Sequence, residues 1–63
     1  MKSVRKDLNL MNKLGWKIKK HITFADNQHN YIFTDTENSC HIVWWCKGGK
    51  IMEHTFYDAP FVE

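Results

Sequence analysis

Apolar residues recur at helical spacing over the first fourteen positions and then fall on every second position. Val4, Leu8, Met11 and Leu14 lie three or four apart, Leu10 widens the stripe, and Ser3 precedes them as a residue suited to cap a helix. Gly15 follows, the residue type that most readily takes the left-handed conformation closing a helix. The pattern predicts a helix over about residues 4–14. Arg5 and Lys6 oppose the positive end of its dipole, an effect of roughly a few tenths of a kcal/mol.

Beyond Gly15, Trp16, Ile18, Ile22 and Phe24 alternate with Lys17, Lys19, His21 and Thr23, the signature of a half-buried strand over about 16–25. Lys20 falls on the apolar side and marks an edge or a bulge. Turn chemistry over 25–30 precedes a strand at 30–35, and Thr36-Glu37-Asn38-Ser39 precedes one at 40–47. Gly48-Gly49 makes a two-residue hairpin turn into a fourth strand at 50–57, and 58–63 reads as a loose tail. The expectation is one α+β domain spanning 1–63. Its N-terminal helix should pack on one face of a four-stranded antiparallel meander, in strand order 1-2-3-4.

Turn lengths give a register. The Gly-Gly turn pairs Trp45 with Met52, Val43 with His54 and His41 with Phe56; the second turn pairs Phe33 with Ile42; a four-residue first turn pairs Ala25 with Asn30 and Phe24 with Tyr31. Opposed residues share a face, so one set holds Trp16, Ile18, Ile22, Phe24, Tyr31, Phe33, Cys40, Ile42, Trp44, Cys46, Ile51 and Tyr57, a core for the helix to cover. The other holds an apolar band of Ile32, Val43, Trp45, Met52 and Phe56, bordered by lysines and by His21, His41 and His54. One short helix cannot cover both faces, so this second face is expected to be open, and an exposed apolar band marks a contact surface.

Composition narrows the function classes. The chain is 43% hydrophobic and 14% aromatic, too apolar for a disordered tail. Its 63 residues make a core worth no more than roughly 3–5 kcal/mol of net stability. A net charge of +2 falls short of a dedicated nucleic-acid footprint. No run approaches the ~20 apolar residues of a membrane span, and no signal-peptide pattern opens the chain, so a cytoplasmic setting is expected. Cys40 and Cys46 stand six apart in one strand, roughly 20 Å at about 3.3 Å per residue, too far to bridge, and read as free thiols.

Chemistry is sparse. No phosphate loop, nucleophile elbow or carboxylate pair occurs, and the chain is expected to be no enzyme, with no cofactor and no small-molecule substrate. Cys40 and His41 are neighbours in a strand and point to opposite faces, so they form no activated pair. The histidines lack metal-ligand spacing, and no metal site is expected. The expected function is a protein-binding module whose partner, another protein or a second copy, docks on Val43, Trp45, Met52, Phe56, Ile32, His41 and His54. Small domains of this size and composition are common in phage and mobile elements, where they bind and occlude host proteins. One alternative is single-stranded RNA or DNA binding, with Trp45 and Phe56 stacking bases and Lys17, Lys19, Lys47 and Lys50 meeting phosphates. The other is a self-associating structural domain.

Overall fold

A computed structural model describes residues 4–62. The helix α1 spans Val4–Lys13 and is followed by strands β1 (Lys17–Thr23), β2 (Gln28–Thr34), β3 (His41–Lys47) and β4 (Lys50–Tyr57). The strands form one antiparallel sheet in the order β1-β2-β3-β4, the expected α+β meander. The proposed cap Ser3 lies outside the described residues, as do the side chains of Val4 and Arg5.

The end of α1 is fixed by its backbone. Gly15 sits at φ 91°, its N–H donates to Asn12 C=O at 3.1 Å, and the Trp16 N–H donates to Met11 C=O at 3.0 Å. These two bonds satisfy carbonyls that would otherwise end the helix unpaired. Asp7 in the first turn and Lys13 in the last both have the sign that the dipole favours. Leu8, Met11 and Trp16 then pack against a cluster of Phe33, Trp44 and Cys46 on the two central strands. Phe33 is 1% exposed, with its ring centroid 4.5 Å from that of Trp44. Burying one such side chain contributes about 1.5–3 kcal/mol, so this small cluster dominates the stability of the domain.

Three features of the sheet differ from the sequence reading. The first turn is two residues long: Asp26 and Asn27 both take positive φ, at 62° and 59°, and Gln28 N–H reaches Ala25 C=O at 3.3 Å. Both residue types tolerate the left-handed region, so the chain reverses tightly and pairs Thr23 with His29. The expected pairs Ala25–Asn30 and Phe24–Tyr31 are therefore absent. Second, Lys19 is an extra residue between Ile18, opposite Phe33, and Lys20, opposite Ile32. Third, Met52 is an extra residue between Ile51, opposite Cys46, and Glu53, opposite Trp45. Side chains alternate with period two, so each extra residue exchanges the faces of everything beyond it.

The helix side of the sheet consequently carries the rows Ile18–Phe33–Ile42–Phe56, His21–Tyr31–Trp44–His54 and Thr23–His29–Cys46–Ile51. The outer side carries Lys17–Thr34–His41–Tyr57, Lys20–Ile32–Val43–Thr55 and Ile22–Asn30–Trp45–Glu53, with Lys47 opposite Lys50 at the Gly-Gly turn. The second and third turns follow the expected register at Phe33–Ile42 and Lys47–Lys50.

The segment after β4 is tied down. Asn38 donates from Nδ2 to Phe61 C=O at 3.1 Å and accepts from Phe61 N–H at 3.0 Å, and His41 Nδ1 lies 2.7 Å from Ala59 C=O. No helix among the described residues is long and apolar enough to cross a membrane.

Candidate functional site

The residues expected to form one contact patch are divided between two faces. Ile32, Val43, Trp45 and His41 lie on the outer side. Met52, Phe56 and His54 go to the helix side, because the extra residue in β4 shifts the alternation. On the outer side, Ile32 is only 5% exposed, and His41 is half-buried, stacked on Tyr57 at 4.7 Å and edge-on to Phe61 at 5.6 Å. Val43 and Trp45 are half-buried and share a shallow depression of about 320 Å³ with Asn30, Glu53, Thr55 and Tyr57. The Asn30 Oδ1 atom is buried there without a hydrogen-bond partner. The outer side is thus more polar than expected, as an uncovered antiparallel face usually is.

The groups of the stacking alternative are dispersed too. Trp45 is on the outer side and Phe56 on the helix side, so the two rings do not form one platform. Lys47 and Lys50 stand at the Gly-Gly end of the sheet, Lys17 is opposite Thr34 at the other end, and Lys19 occupies the bulge.

An apolar recess lies instead on the helix side, between α1 and β4. It encloses about 400 Å³ and is lined by Leu10 and Met11 of the helix and by Ile42, Trp44, Ile51 and Met52 of the sheet. Asp7, Glu53 and His54 complete the lining; Glu53 belongs to the outer row opposite Trp45, which leaves Asp7 as the acidic side chain of the groove. Leu10 is 52% exposed, Met52 49% and Phe56 58%. Sequence reasoning placed Leu10 on the helix stripe and Met52 on the sheet but did not bring them together, because the β4 bulge has no unique signature. The adjacent apolar residues Ile51-Met52 are the one local hint.

The surroundings of the two thiols disfavour the thiolate. Burial raises the Cys46 thiol above its ordinary value. Cys40 is raised as well, first by desolvation and then by the negative charge of Asp35. Thiolate chemistry needs the opposite shift. The Asp35 carboxylate is lowered, chiefly by the Ser39 hydroxyl, and also accepts from the Ser39 N–H at 2.7 Å. That is the chemistry of a turn. No group of three or more His, Cys, Asp or Glu side chains fit to hold a metal ion occurs among the described residues.

One juxtaposition escaped the sequence reading altogether. His21 and His29 meet on the helix side with Nε2 and Nδ1 2.9 Å apart. The tight Asp26-Asn27 turn creates this pair; a four-residue turn would keep His29 out of the strand. No family model, curated protein or solved structure matches the chain.

Proposed function

We propose that the protein is a small non-catalytic protein-binding module that seats a partner in the α1–β4 groove and acts by covering the surface it binds. The observation that carries this reading is the pairing of Leu10 and Met52, each about half exposed, at the rim of an apolar recess. Exposed apolar groups of this size mark contact surfaces, and burying each against a partner contributes about 1.5–3 kcal/mol. Asp7 at the groove favours a partner segment whose apolar anchors are flanked by lysine or arginine.

The test uses the immobilised full chain with native lysate, with and without nuclease, beside Leu10→Ser, Met52→Ser and Trp45→Ala. A stoichiometric protein that survives nuclease, is lost with Leu10→Ser and Met52→Ser and is retained by Trp45→Ala supports the groove. Loss with Trp45→Ala alone would return the site to the outer face. Capture of nucleic acid only, weakening steeply with salt, would replace the protein partner with the stacking alternative. Recovery of the chain alone, with concentration-dependent sedimentation, would favour self-association.

A further inference from the structure

The hairpin β1–β2 carries a feature that the groove does not use. His21 stands opposite Tyr31 and His29 opposite Thr23, so the two imidazoles are diagonal neighbours on one face of an antiparallel pair. Their facing nitrogens, Nε2 of His21 and Nδ1 of His29, are 2.9 Å apart, and His21 is exposed to solvent. Tyr31 lies beneath as a platform: its ring is 4.3 Å from that of His21 at 12° and 6.1 Å from that of His29 at 23°. The strand ladder and this stack together hold the two imidazoles within reach of a single ion.

We infer that His21 and His29 form a two-imidazole chelate for a divalent transition-metal ion, such as Ni²⁺ or Cu²⁺. The rings face each other across a 2.9 Å hydrogen bond, and a turn of the exposed His21 ring brings both lone pairs onto one ion at metal–nitrogen bonds of about 2.05 Å. Water completes the coordination, since no third ligating side chain joins the pair among the described residues. The proton inventory also balances. With both rings neutral, one N–H is shared across the 2.9 Å contact, and on ligation that hydrogen moves through solvent to the far nitrogen of the same ring. His21 then carries its hydrogen on Nδ1 and His29 on Nε2, both near nitrogens donate a lone pair, and no net proton is released. The bound ion would join β1 to β2 beside the Asp26-Asn27 turn.

The experiment is calorimetric titration of the untagged, reduced full chain with NiCl₂, beside His21→Asn, His29→Asn and His54→Asn. Ni²⁺ is the probe because the half-exposed Cys40 thiol would be oxidised by Cu²⁺. One ion per chain is expected, with affinity falling at least tenfold in His21→Asn and in His29→Asn and unchanged in His54→Asn. Thermal melts without metal establish that each variant is folded, and Ni²⁺ should raise the midpoint of the wild type and of His54→Asn only. Paramagnetic broadening by bound Ni²⁺ should centre on Thr23 and Tyr31. Full affinity in folded His21→Asn, or an equal loss in His54→Asn, would overturn the site.

Discussion

Asn38 offers the sharpest test of how the chain end is held. Its amide makes a reciprocal pair of hydrogen bonds with the backbone of Phe61, at 3.1 and 3.0 Å, and its own backbone sits in the left-handed region at φ 54°. Asn38→Ala removes both bonds, each with a net value of about 0.5–1.5 kcal/mol. It also places a Cβ-bearing residue without a local polar side chain at positive φ, which costs about 1 kcal/mol more. The expected loss is about 2–4 kcal/mol, a large share of the roughly 3–5 kcal/mol such a domain has. Asn38→Gly loses the same bonds without the steric term and should fall about 1 kcal/mol short of the alanine effect. Urea denaturation followed by tryptophan fluorescence measures both. The decisive arm repeats them in a chain ending at Asp58, where Phe61 is gone and only the backbone term should remain, about 1 kcal/mol for alanine. An alanine effect of the same size in full-length and shortened chains would refute the clamp. Equal effects of glycine and alanine would refute the argument from backbone conformation.

Two further outcomes follow from the turns and the register. The Ser39 hydroxyl holds Asp35 below its ordinary value of 3.8, so its contribution to stability is complete above that range and is lost as pH falls through the lowered folded value. Urea midpoints measured between about pH 5 and pH 2 should therefore fall less steeply in Asp35→Asn than in the wild type, and parallel slopes would remove this turn from the acid response. Deleting Met52 removes the extra residue in β4 and should leave the chain folded with Val43 still opposite the residue that is Thr55 in the full chain. Cross-strand nuclear Overhauser contacts from Val43 to His54 in the wild type would show the bulge-free register instead.

What the sequence made legible was whatever a single local rule decides. Gly15 and the 3.6-residue stripe mark the end of the helix, and Gly48-Gly49, at φ 61° and 77°, fixes one hairpin because both positions need positive φ. The bulges were legible only in part. Lys20 on the apolar side of β1 betrays a break in alternation, and the structure places the extra residue next to it at Lys19. In β4 either register puts an aromatic residue on each face, Phe56 on one side and Tyr57 on the other, so hydropathy does not choose between them. Met52 and Phe56 are exposed, but on the helix side and not beside Trp45, because the grouping of the contact residues depended on that undecided register.

Both candidate sites arise from a mismatch between the width of one helix and the width of four strands. A helix with its side chains is about 10–12 Å across, while four strands at about 4.8 Å spacing span roughly 19 Å. The helix centres on the middle of the sheet, where Leu8 and Met11 meet Phe33 of β2 and Trp44 and Cys46 of β3. The edge strands β1 and β4 must therefore project on either side, and each holds a bulge. Bulges on edge strands discourage unwanted pairing of the sheet with another chain, but they also redirect side chains. In β4 the bulge sends His54 and Phe56 to the helix side, beside the uncovered flank where Met52 and Leu10 face the groove. In β1 it sends His21 to the same side, onto Tyr31 and against His29. On the outer side Asn30, Glu53, Thr55 and the lysines are polar, while Ile32 and Thr34 are buried and the segment after β4 lies against His41. Exposed apolar surface and paired imidazoles thus occur where a narrow cover leaves the margins of its sheet bare.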